Sequence, residues 1–136
     1  MQRATRTDVE KLLRRLVNGG PIRRLPKSRK DTDLFLALAA SVLDPRAAYA
    51  ETEINEALQD WMREFTCPIN LDHVTIRRYL VDHRFVLREE TGTNYRTNQA
   101  IINSVIEPDA RSVEPQLIFR AVQEEREQRK LAVRSD

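Results

Sequence analysis

The chain has 136 residues, 23 of them Lys or Arg and 21 Asp or Glu, for a formal net charge of +2. That length holds one modest core with room for appended helices, and 40% hydrophobic with 32% charged residues is the balance of a soluble helical protein. Only three glycines and eight aromatic residues weigh against a large sheet protein. No apolar run approaches the roughly 18 residues of a membrane span, and the basic N-terminus has no apolar signal-peptide segment. Cys67 is the single cysteine, which excludes an internal disulfide, argues against a thiolate metal site and fits a reducing cytoplasm.

The small net charge hides an asymmetry. Residues 1–30 carry ten basic against two acidic side chains, and residues 31–66 carry two basic against eight acidic. A basic segment of this density contacts phosphate or an acidic protein surface, or it folds back on the acidic helices that follow.

In chain order, residues 7–18 read as a helix, with Thr7 as N-cap, Glu10 completing a capping box and Gly19-Gly20-Pro21 ending it. Val9, Leu12, Leu13 and Leu16 give its apolar stripe. A basic connector follows, with Arg23, Arg24, Lys27, Arg29 and Lys30. Asp31 or Thr32 opens a very apolar core helix to about Leu43, and Asp44-Pro45 is a turn. Ala47–Ala50 is a short strand. Glu51 or Thr52 opens a helix to about Phe65, with Ile54, Leu58, Trp61, Met62 and Phe65 on one side. After a loop containing Pro68, Asp72 caps a helix from His73 to about His83. In it Ile76 and Leu80, with Tyr79 beside them, form the inward stripe. Phe85–Glu89 and Tyr95–Thr97 are strands joined by a turn at Thr91–Asn94. Asn98–Ile106 is helical, Glu107-Pro108-Asp109 breaks it, and a last helix covers about Val113–Ala132, apolar in its first half and charged from Glu124 to Lys130.

From residue 31 this order is helix, short strand, helix, helix, strand, wing, strand, which is the order of a winged helix-turn-helix. The expected fold is mainly α with a small β-hairpin. It divides into an N-terminal helix and basic connector (1–30), the winged helix-turn-helix (31–97) and a C-terminal helical extension (98–136).

Two motifs carry a resemblance. Thr75-Ile76-Arg77-Arg78-x-Leu80 resembles the recognition helix of DeoR-type bacterial repressors. Four runs together resemble the bacterial domain family of unknown function 2087: Leu25-Pro26-Lys27, Glu53-Ile54-Asn55-x-x-Leu58, Val74-Thr75-Ile76-Arg77-Arg78-x-Leu80-Val81-Asp82, and Arg88-Glu89-x-x-Gly92-x-x-Tyr95. The resemblance covers about half of the chain and implies a winged-helix-like module associated with transcriptional regulators, hence DNA binding. The chain departs from the family pattern in having Arg84 where a Gly usually follows the recognition helix, and a longer, more apolar Phe65–Asp72 loop. Both put the end and the seating of that helix in question.

On this reading the 73–83 helix enters the major groove. Arg77 and Arg78 reach bases or phosphate, or bridge to Asp72 and Asp82. Thr75 meets a thymine methyl or a phosphate, or bonds its own helix start. His73 lies near phosphate, or is a solvated first-turn residue. Wing residues Arg88, Thr93, Asn94 and Arg96 touch the backbone or minor groove, although Gly92 and Asn94 are also what a tight turn requires. Arg23, Arg24, Lys27, Arg29 and Lys30 grip phosphate.

No nucleophile elbow, phosphate-cradling Gly loop or pair of metal-ligand histidines appears. The chain is therefore expected to be no enzyme, without cofactor or metal and without membrane contact. Double-stranded DNA is the expected partner, with a homodimer through the 113–132 helix. The alternative is a winged-helix protein-interaction module; RNA is a weaker third. Arg29, Arg77, Arg78 and Arg96 on one continuous basic face favour DNA, and a face interrupted by acidic groups favours docking.

Overall fold

The computed structural model describes residues 2–89 and 94–134. Helix α1 (Arg6–Leu16) is opened by Thr5. The Thr5 hydroxyl accepts from the Asp8 amide at 3.1 Å, and the Asp8 carboxylate accepts from the Thr5 amide at 2.9 Å. The box thus lies two residues before the expected Thr7–Glu10 pair, because Glu10 is engaged by Arg6 one turn back at 3.2 Å. Helix α2 (Arg29–Ala40) also starts earlier than expected, since Ser28 serves as its cap and accepts from the Asp31 amide. Asp31 and Thr32 therefore fall inside the first turn, and Thr32 is buried with its hydroxyl donating to the Pro26 carbonyl. Every residue from Leu34 to Ala40 is buried, so α2 is the central helix that the others cover.

Helix α3 (Glu51–Met62) starts with Glu53 accepting from the Ala50 amide at 2.9 Å. It buries Ile54, Leu58 and Met62, with Phe65 just beyond. Trp61 is half-buried between Phe35 and Phe65, with ring centroids at 5.6 and 4.9 Å. Helix α4 (His73–Asp82) packs on α2 and α3 through Ile76 and Leu80. Tyr79, expected beside that stripe, is 40% exposed. It lies some 60° away from Ile76 on the helical wheel, on the side away from α3, and meets the His83 ring at 5.7 Å.

The end of α4 answers the missing glycine. The Phe85 amide donates to the Leu80 carbonyl at 2.9 Å and the Arg84 amide to the Val81 carbonyl at 3.1 Å. This double bond pattern requires a left-handed residue between helix and strand. Arg84 supplies it, with φ +66°. The helix thus ends where a glycine would have ended it.

Strands β1 (Val86–Arg88) and β2 (Tyr95–Thr97) pair antiparallel, Val86 with Thr97, Leu87 with Arg96 and Arg88 with Tyr95. The strand expected at 47–50 is reduced to a single pairing on the other edge of β2. There the Tyr49 and Tyr95 amides each donate to the other's carbonyl at 2.8 Å. With α2, the Tyr49 bridge, α3, α4 and the β1–β2 hairpin in this order, the chain is mainly helical with a small wing: a winged helix-turn-helix with added terminal helices.

Those additions are α1, α5 (Gln99–Val105), a 3-10 turn at Pro108–Ser112, and α6 (Pro115–Arg134). Ala4 pairs with the strand-like residue Ile106, α5 packs on α2, and α6 packs on α1. The interior is continuous: Leu13, Phe35, Ile54, Phe65, Ile76, Leu80, Phe85 and Ile102 are all fully buried in one cluster. The apolar first half of α6 is used here. Val122 is buried, and Ile118 and Phe119 are half-buried against the core. Arg126 closes the contact by donating to the Asn18 carbonyl at 2.6 Å. Glu127 to Val133 are exposed. Among the described residues no helix is long and apolar enough to cross a membrane.

Candidate nucleic-acid interface

The α3–α4 loop and α4 form the second half of the helix-turn-helix. The loop is fixed from the N-terminal side by the connector. The Ile22 amide donates to the Phe65 carbonyl at 2.7 Å, and the Cys67 amide donates to the Ile22 carbonyl at 2.8 Å. Leu71 is buried under it. Asp72 then starts α4, accepting from both the Thr75 amide and the Thr75 hydroxyl on one oxygen at 2.8 Å. The Thr75 amide, then its hydroxyl, and the nearby His73 hold the Asp72 carboxyl below its ordinary range. Thr75 is thus half-buried with its hydroxyl proton given to the cap.

One helical residue is a rotation of about 100°, and this separates the two arginines. Ile76 and Leu80 point into the core, which puts Arg78 close to the opposite side of the helix and Arg77 at its flank. The Arg77 side chain is 15% exposed. It donates to the Asn55 amide oxygen at 2.5 Å, lies 3.1 Å from the Glu51 carboxylate and stands over the Tyr95 ring at 5.9 Å. Arg77 is therefore a strut joining the start of α3, the middle of α4 and the wing. The acidic bridge weighed for it from the sequence is thus made, to Glu51 rather than to Asp72 or Asp82. Arg78 is exposed and has no hydrogen bond or ion pair among the described residues.

The wing divides in the same way. Arg88 is exposed and stacks over the other approach to Tyr95 at 5.9 Å. Arg96 pairs with Glu89 at 3.0 Å across the hairpin. Asn94 is exposed, and Thr93 lies outside the described residues. His73 is half-buried at the start of α4.

The connector runs from the α3–α4 loop to the start of α2. That helix touches the far end of α4, where the His83 ring nitrogen Nδ1 is 2.8 Å from the Asp33 carboxylate. Arg29 also meets Asp33, at 3.5 Å. Arg23, Arg24, Lys27 and Lys30 are exposed without hydrogen-bond or ion-pair partners among the described residues. Arg23, Arg24 and Lys27 line a shallow concavity of about 730 Å³ between the end of α1 and the connector.

Of the four arginines whose continuity was to decide between partners, three have a carboxylate neighbour: Arg29 with Asp33, Arg77 with Glu51 and Arg96 with Glu89. Of the cations expected at the interface, Arg78 on α4 and Arg23, Arg24, Lys27 and Lys30 of the connector have no hydrogen bond or ion pair among the described residues. Sequence reasoning missed two residues on the outer line of α4, Tyr79 and Asp82, both exposed. A wheel drawn from Ile76 and Leu80 would have placed Asp82 beside Arg78 on the outer side and Tyr79 at the flank, because Thr75, Arg78, Tyr79 and Asp82 are spaced i, i+3, i+4 and i+7.

No curated protein and no solved structure matches the chain. A family model does match, over residues 21–97, from the connector to the last strand of the wing. That span is more than half of the chain and contains Arg77 and Arg88, which stand over the Tyr95 ring, and Asn55, which accepts from Arg77. The protein thus belongs to the family described as an uncharacterized protein conserved in bacteria, DUF2087.

Proposed function

We propose that the protein is a double-stranded DNA-binding transcriptional regulator, with α4 in the major groove, the wing on the backbone and the connector on flanking phosphates. The observation that carries this reading is the outward face of α4. The second helix of a helix-turn-helix presents the uncommitted Arg78 away from the core, with the half-buried Thr75 one turn before it and a hairpin fastened beside it by Arg77 and Tyr95. A cation held on a rigid helix without a local partner suits phosphate or guanine. The unpaired Arg23, Arg24, Lys27 and Lys30 supply the nonspecific attraction that a small domain needs. A second copy completes the reading, since a single small domain binds duplex weakly. The apolar side chains that α6 leaves exposed for it are Leu117, Leu131 and Val133.

The second reading is a protein-docking module. It is favoured by the carboxylates beside Arg29, Arg77 and Arg96, which interrupt the basic face.

Fluorescence anisotropy with a random duplex of about 30 base pairs, three helical turns, separates the two. On the DNA reading, affinity falls steeply between about 50 and 200 mM salt, and each lost phosphate contact lowers the log–log slope by about 0.9. Arg24→Ala/Lys27→Ala should lower the slope by up to about 2, and Arg78→Ala should weaken binding. A folded sample that binds no duplex at the low-salt end rejects DNA and leaves docking.

A further inference from the structure

The outer line of α4 contains a residue whose placement has no structural return. Asp82 is the last residue of the helix, where the negative end of the helix dipole disfavours a carboxylate. It caps nothing and has no hydrogen bond or ion pair among the described residues. Arg78, one turn earlier, stays apart from it although i and i+4 are neighbours. The Arg-before-Asp order is the weaker orientation for such a pair, because each charge then faces the wrong end of the helix. Two opposite charges thus stand one turn apart on one face, both without a partner among the described residues, with exposed Tyr79 at its flank.

We infer that Arg78 and Asp82 are the specificity-determining pair of α4, reading a guanine and a cytosine about two base pairs apart. This rests on the DNA-binding reading above. Major-groove edges differ in donors and acceptors. Guanine offers two acceptors, O6 and N7, which the five-donor fork of an arginine fits. Cytosine offers the N4 amino donor, which a carboxylate accepts. A carboxylate near the phosphates is repelled unless it meets such a donor, so Asp82 excludes registers that place a carbonyl or a phosphate opposite it. Four residues rise about 6 Å along the helix, close to two base-pair steps of about 3.4 Å. The i, i+3, i+4, i+7 set of Thr75, Arg78, Tyr79 and Asp82 is the spacing with which a helix lying along the groove reaches bases over its whole length. Arg77 takes no part, because Asn55 and Glu51 hold it.

The test is affinity selection from a randomised duplex library, sequenced after each round, with wild type, Arg78→Ala and Asp82→Asn. Both side-chain changes lie on the exposed face and leave the core intact. Wild type should enrich sites with a fixed guanine and a fixed cytosine at that separation. Arg78→Ala should lose the guanine preference, by roughly tenfold or more, and keep the cytosine. Asp82→Asn should turn the cytosine preference toward adenine, whose N6 and N7 an amide matches. Salt-sensitive binding without any enriched base, or an Asp82→Asn profile identical to wild type, overturns this inference and leaves DNA binding standing. A folded protein that recovers no duplex at low salt overturns both.

Discussion

Arg77 and Arg78 are chemically identical neighbours with opposite situations, and the difference is one step of helix rotation. Arg77 turns toward α3 and finds an amide oxygen, a carboxylate and an aromatic face. Arg78 finds solvent. Losing Arg77 removes two polar contacts, strands the Asn55 oxygen and uncovers Tyr95. Glu51 is half exposed, so solvent screens part of the ion-pair contribution. Arg77→Ala should therefore cost about 1–2 kcal/mol in urea unfolding, and Arg78→Ala should stay within about 0.5 kcal/mol. Equal losses would mean that the strut carries no weight. The Thr-Ile-Arg-Arg run identified the helix but not this division. The polar partners of Arg77 come from more than twenty residues upstream and its aromatic partner from the wing, and no local pattern in the sequence announces them. The outward position of Arg78 was, by contrast, implicit in the spacing of Ile76 and Leu80.

The elements follow from their end residues. Asp72, β1, β2 and the order of helices were legible because caps, a proline and alternation lie close together in the chain. The cap of α1 lies two residues before the expected one, and that of α2 three or four residues before. In each case an earlier hydroxyl, Thr5 or Ser28, takes the cap, and an aspartate completes the first turn. The strand at 47–50 shrank to Tyr49 because its one pairing among the described residues is with the outer edge of β2, across the whole helix-turn-helix. The end of α4 shows a local rule broken and then obeyed. Arg84 adopts a left-handed conformation that costs a residue with a Cβ about 1–2 kcal/mol. It is held there by the two closing hydrogen bonds and by the burial of Phe85 next to Leu80. Arg84→Gly relieves that strain at some cost in chain entropy. It should raise stability by about 0.5–1 kcal/mol, read as a higher urea midpoint with an unchanged slope. A lower midpoint would show that the Arg84 side chain contributes more than its backbone costs.

At the scale of the molecule, the winged core and its additions share one interior, and α6 is where that sharing stops. Up to Arg126 the helix covers α1: Val122 is buried, Glu125 meets Arg14 at 2.5 Å, and Arg126 reaches the end of α1. From Glu127 to Val133 its side chains are exposed, Leu131 and Val133 among them. The stripe that the sequence offers for a dimer is thus spent on the core, and association falls to the few apolar groups left outside. Such a contact is smaller than the roughly 1,000 Å² of a stable interface, so pairing of the free protein should be weak, on the order of tens of micromolar or above. A chain ending at Arg126 separates the two roles of α6. Its urea midpoint should match that of the full chain, because no buried side chain is lost, while sedimentation equilibrium should find it monomeric where the full chain begins to associate. A shortened chain that unfolds would make the distal turns part of the fold. One that self-associates as strongly as the full chain would place the contact on the exposed apolar groups that remain, Leu117 of α6 or the wing residue Leu87, which are then the ones to replace.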